Sequence, residues 1–117
     1  MKRRPVLITE IKDDTWVHNA ANRQSAGGQI RRRYNGMTSR CPLPRLWGLN
    51  LLGTSLRVYC TTIATRVIEP NFEPRPNPSR ILPRDFLGDG WDINILSPEG
   101  FQKMKEIVTD INAAAAL

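Results

Sequence analysis

Histidine occurs once and cysteine twice in this chain of 117 residues. Cys41 precedes a proline, Cys60 falls in an apolar run, and neither has a cysteine or histidine companion at zinc spacing. Both therefore read as reduced, structural thiols. No apolar run approaches the roughly 18 residues that a membrane-spanning helix needs, so no membrane partner is expected. Lys2-Arg3-Arg4 has the charge of a signal-peptide start, but the apolar run behind it breaks at Thr9 and Glu10 without a cleavage-like end. An intracellular protein, nuclear or cytoplasmic, is the expectation. There are no internal repeats.

The composition is 40% hydrophobic and 24% charged, too apolar for a wholly disordered chain. A chain of this length makes one domain at most and buries roughly two thirds of its unfolded surface, so residues 1–117 read as a single domain with a modest core. The net charge of +6 is unevenly placed. The first 60 residues hold eleven Lys and Arg against only Glu10, Asp13 and Asp14, whereas the remainder is slightly acidic. Such a basic half suits a polyanion-facing surface and equally suits a solvated basic helix.

Residues 5–12 are short, apolar and β-branched, which predicts a strand. Its alternation sets Val6, Ile8, Glu10 and Lys12 on one face and Leu7, Thr9, Ile11 and Asp13 on the other. With both faces largely apolar, it belongs inside a sheet covered on each side. Residues 15–37 favour helix, weakened at Gly27-Gly28 and stopping at Gly36. Two apolar runs separated by Gly53-Thr54 predict a hairpin of 46–52 and 55–62, and 66–69 supplies a short further strand. Five of the nine prolines fall just beyond it, so 69–84 reads as an extended surface arm. Ser97 as N-cap, with Pro98 at the first helical position and Glu99 beside it, opens a last helix. Its stripe of Phe101, Met104, Val108 and Ile111 should dock on the sheet, and the alanines from Ala113 should fray. The order predicts an α/β fold: a mixed sheet of about three to four strands with a crossover helix and a C-terminal helix. The strands at 5–12 and 46–52 should be parallel.

A strand ending in Glu10-x-Lys12, then a helix carrying Gln29 among basic residues, then another apolar strand, resembles the second half of a PD-(D/E)xK, restriction-endonuclease-like nuclease core. The phrases VLITEIKDDTW, QIRRRYNGM, CPLPRLWGLNLLGTSLRVYC and ILPRDFLGDGWDINILSPEGFQKMKEIV also resemble a group of uncharacterised basidiomycete fungal proteins, which brings no established activity with it. The nuclease resemblance implies catalytic Glu10 and Lys12, with Mg²⁺ on Glu10 if the domain is active. Asp14, of the same parity, would stand in for the missing second carboxylate. It also implies a truncated domain, since only Met1 to Arg4 precede the Glu-x-Lys strand where the superfamily has further strands. Gln29, with Arg23, Arg31, Arg32 and Arg33, would then face DNA or RNA. Three successive arginines span about 300° of helix, so they cannot all grip one backbone.

Each assignment has a plainer competitor. Glu10 and Lys12 also fit an ion-paired strand end, the arginines a solvated helix face, His18 a surface or capping role, and Trp47, Tyr59 and Trp91 core packing. The chain is thus expected to be either a divergent nuclease-like domain that binds nucleic acid with doubtful catalytic competence, or a non-catalytic interaction module. In the second case an open sheet edge would pair with another chain or a missing N-terminal segment.

Overall fold

The structure is a computed structural model and describes residues 4–74, 76 and 82–116. Strand β1 (Leu7–Lys12) is followed by a 3-10 turn (Asp14–His18) and helix α1 (Ala20–Met37). The helix expected over 15–37 is thus divided, and the division falls at Asn19. Asn19 is extended, and its side chain accepts from Asn22 N at 3.0 Å to cap α1, while Asp13 caps the preceding turn through Thr15 N. Trp16 and Val17 hold that turn against a cluster of Ala26, Leu52 and Trp91. The glycine pair does not break α1. Two glycines cost about 1 kcal/mol each in a helix, but Gly27 is buried where a Cβ would lie 3.3 Å from the Tyr59 hydroxyl. Close helix–sheet approach is what Gly27 allows.

Strands β2 (Arg45–Leu52) and β3 (Ser55–Thr62) form the expected hairpin. Gly53 takes the left-handed φ of 62° at its turn and donates from N to Lys12 O at 2.8 Å, tying the hairpin tip to β1. Two short strands, β4 (Ile68–Glu69) and β5 (Ile93–Asn94), pair with opposite ends of β3. Only β4 was legible in the pattern. The sheet runs β1-β2-β3-β4, with β1 parallel to β2 and the other pairings antiparallel. Of the proline-rich stretch, residues 75 and 77–81 lie outside the described residues.

Helix α1 covers one face of the sheet, over Ile8, Leu46 and Tyr59 with Ile30 and Tyr34 above them. Helix α2 (Pro98–Ala115) covers the other, where Ile107 meets Leu49 and Leu56. The mixed α/β fold with two helices is as expected. So is the start of α2, where Ser97 Oγ accepts from Gly100 N at 3.1 Å. Two expectations for α2 need correction. The alanines continue the helix to Ala115. The docked residues are Ile107, Met104 and Ile111, whereas Phe101 is 69% and Val108 49% exposed. Gly100 explains the rotation, because without a Cβ that side of the helix sits directly on the backbone of Asn94 and Ile95.

The far end of α2 is held by Asp110, whose carboxylate takes the Arg45 guanidinium and a 2.8 Å bond from Trp47 Nε1. Both donors hold Asp110 below its usual pKa. A carboxylate depressed on folding contributes stability above its unfolded pKa of about 3.9 and loses it as pH falls through the lower folded value. Asp110→Asn is therefore expected to flatten the loss of stability below about pH 4, read from urea unfolding at a series of acid pH values. An unchanged acid limb would show that the carboxylate is not coupled to folding.

Candidate functional site

Glu10 and Lys12 share the α1 face of β1, as their spacing requires, but each already has a partner. Glu10 Oε1 accepts from Arg33 Nε at 2.8 Å, with the Glu10 side chain 17% exposed. The Lys12 ammonium lies 5.2 Å from the Trp16 ring centroid, a cation–π contact. Asp14 is exposed and packs against Gly53, beyond the end of the strand. Among the described residues no group of three acidic, histidine or cysteine side chains is placed to hold a metal ion. A Mg²⁺ ion at Glu10 would have to displace a guanidinium, with one carboxylate in return.

Arg31, Arg32 and Arg33 fan out around α1. Arg33 reaches Glu10 on β1, Arg32 is exposed, and Arg31 turns toward β3. Gln29 stays on the helix, where its Nε2 donates to Ser25 Oγ at 3.4 Å. Arg23 is placed differently from the surface role expected of it. It is 4% exposed, and its guanidinium donates to Val17 O, Arg84 O and Phe86 O at 2.6–3.0 Å. This residue ties α1 to the 3-10 turn on one side and to the loop ahead of β5 on the other. His18 is exposed at the end of its turn, and Tyr59 and Trp91 are buried in the core.

A different constellation emerges on the β3 side of α1. The alternation Arg57-Val58-Tyr59 sets Arg57 and Tyr59 on one face, and α1 lowers Arg31 onto the same ring. The two guanidinium carbons lie 5.4 Å (Arg31) and 5.3 Å (Arg57) from the Tyr59 centroid. Arg31 also lies 5.9 Å from Phe72, and Arg57 5.1 Å from Trp91. Gly27 and Gly28 form the helix side of the resulting shallow cleft, with Glu73 and Leu87 at its rim. Arg31 donates to Pro70 O at 2.7 Å. Neither Arg31 nor Arg57 makes an ion pair among the described residues.

This is electrostatically uncomfortable. Burial lowers the Arg31 pKa from its usual value and the Arg57 cation adds to that, against an opposing effect of Tyr59. Burial likewise raises the pKa of Tyr59, keeping the phenol neutral. Two half-buried guanidiniums thus share one tyrosine ring, with no ion pair to either among the described residues although the Glu73 carboxylate lines the same cleft. Arg57 and Phe72 were not singled out by sequence reasoning, and Tyr59 was read there as core packing. The one available signal was the same-face spacing of Arg57 and Tyr59, and nothing in it names Arg31 as the third member.

No protein family, curated protein or solved structure matches the chain.

Proposed function

We propose that this domain binds single-stranded nucleic acid, DNA or RNA, through the cleft between α1 and β3, and that Glu10 and Lys12 serve the fold rather than phosphodiester cleavage. The observation that supports this reading is the pair of guanidiniums, Arg31 and Arg57, on the Tyr59 ring, neither of them in an ion pair among the described residues. A phosphate entering between the guanidiniums would relieve their mutual repulsion and take charge-assisted hydrogen bonds from both. Phe72, 63% exposed beside Arg31, offers a base the kind of stacking surface that single-strand binders use. Arg32, exposed on the same helix, extends the positive potential along α1.

The test is fluorescence anisotropy with labelled single-stranded DNA and RNA oligonucleotides over a range of salt. Arg31→Gln and Arg57→Gln are each expected to weaken binding about tenfold, as loss of a charged hydrogen bond implies. Together they should reduce the slope of log K against log salt by about 1.4, two phosphate contacts on a single strand. Phe72→Ala should weaken binding while leaving that slope in place. Binding that is absent, or that is indifferent to Arg31 and Arg57, removes the proposal. Mg²⁺-dependent cleavage abolished by Glu10→Ala and Lys12→Ala would return the nuclease reading in its catalytic form.

A further inference from the structure

Strand β1 is the edge of the sheet, and among the described residues nothing pairs with its outer side. The N–H and C=O of a strand residue lie on the same side of the strand, and that side alternates along the chain. Lys12 O accepts from Gly53 N, on the β2 side, so the even residues of β1 point their backbone groups inward. Leu7, Thr9 and Ile11 then point theirs outward, unpaired, at an edge that invites another strand. Ile11, 67% exposed, is the apolar side chain that this edge presents to solvent.

The sequence of this edge says what fits it. Glu10-Ile11-Lys12 is complementary to itself when read antiparallel: Glu10 falls opposite Lys12, Ile11 opposite Ile11, and Lys12 opposite Glu10. We infer that β1 pairs with β1 of a second copy of this chain about a twofold axis through Ile11, extending the two sheets into one. In that register the outward N–H and C=O of the two Ile11 residues bond each other, and Thr9 pairs in the same way with the partner's Asp13. Asp13 is extended, at φ −69° and ψ 168°, and its C=O, which accepts from Trp16 N at 3.3 Å, would take the Thr9 N–H as a second donor. The charged pairs fall at the non-hydrogen-bonded positions, where cross-strand side chains are closest. Glu10 Oε1 accepts from Arg33 Nε at 2.8 Å, and a carboxylate has the lone pairs to accept from the partner's Lys12 as well.

The apolar surroundings agree. Phe101 and Val108, exposed and seven residues apart, lie on one flank of α2. The other flank carries Lys103, beside Cys60 and Thr62 of β3, so Phe101 and Val108 face the β1 edge. A second copy with the same pattern would cover them. A twofold interface of this kind is the commonest way in which a single patch becomes self-complementary.

Sedimentation equilibrium of the full chain tests this. The wild type is expected to dimerise reversibly, and Ile11→Lys to be monomeric at concentrations where the wild type is dimeric. Glu10→Lys and Lys12→Glu should each weaken dimerisation by about tenfold or more, since like charges replace both cross-strand pairs. Mixed in equal amounts, those two variants should recover dimers, because only the heterodimer restores opposite charges. Far-UV circular dichroism establishes that each variant is folded. If Glu10→Lys does not fold for want of its Arg33 pair, amide hydrogen exchange of the wild type decides, with the Ile11 and Thr9 amides expected to slow as concentration rises. A wild type that stays monomeric, a dimer indifferent to Ile11→Lys, failure of folded variants to recover on mixing, or edge amides that ignore concentration would each overturn the inference.

Discussion

Arg23→Ala is expected to cost about 3 to 4 kcal/mol of folding stability, a large share of what a domain of this size possesses. The side chain is 4% exposed and donates four hydrogen bonds to three carbonyls: Val17 O at 2.7 Å, Arg84 O at 2.6 Å, and Phe86 O at 3.0 and 2.8 Å. Alanine leaves those oxygens without a donor, and the Phe86 carbonyl, inside the protein, cannot turn to water. It also removes the bulk that fills the space between α1 and the loop around Phe86, itself 6% exposed. Arg23→Lys should recover only part of the loss, because an ammonium cannot reproduce the planar fork that addresses three carbonyls in different directions. Urea unfolding gives the stabilities, and hydrogen exchange should show the loop at residues 84–90 opening before the sheet. A loss below about 1 kcal/mol would mean that the loop relaxes freely and that Arg23 is not its anchor.

The second large effect is expected at Gly48, in the middle of β2 where α1 crosses the sheet. A Cβ there would sit 2.5 Å from the Tyr34 hydroxyl and 3.1 Å from both Ile30 Cδ1 and Tyr34 Cε2. Ile30 and Tyr34 are fully buried, and the Tyr34 hydroxyl donates to Leu46 O at 3.1 Å, so neither can withdraw without breaking packing or that bond. Gly48→Ala is expected to cost about 3 kcal/mol, combining overpacking with a lost buried hydrogen bond. The shortest approach, at 2.5 Å, is to one oxygen, which makes its share of the cost separable from the 3.1 Å contacts. Tyr34→Phe alone should cost about 1 kcal/mol, and in the Gly48→Ala background it should cost nothing or restore stability. Strict additivity of the two substitutions would show that Tyr34 is not what excludes a side chain at residue 48.

Several parts of the molecule were legible because their causes are local. Alternation gave the strands, Gly53 the hairpin, and Ser97 with Pro98 the start of α2, each through interactions spanning a few residues. The parallel pairing of β1 with β2 follows from the helix between them. The break at Asn19 between the 3-10 turn and α1 was missed, although an asparagine N-cap is itself a local signal; the good helix formers around it masked the break. The continuity of α1 through Gly27-Gly28 is of another kind. The Tyr59 hydroxyl, far along the chain, would lie only 3.3 Å from a Cβ on Gly27, and propensity counted within the helix cannot register it.

The candidate site divides in the same way. Sequence alone determined that Glu10 and Lys12 leave β1 on one face, that three adjacent arginines must diverge, and that the basic charge gathers in the first half of the chain. Only the tertiary structure decided which partner each charge meets. Arg33 closes on Glu10, Arg23 turns inward to three carbonyls, and Arg31 stacks with Arg57 on one tyrosine ring. The physical reason is that side-chain direction follows from a period of two or 3.6 residues, whereas the neighbour it finds depends on how elements distant in sequence cross, a choice made by the packing of the whole core.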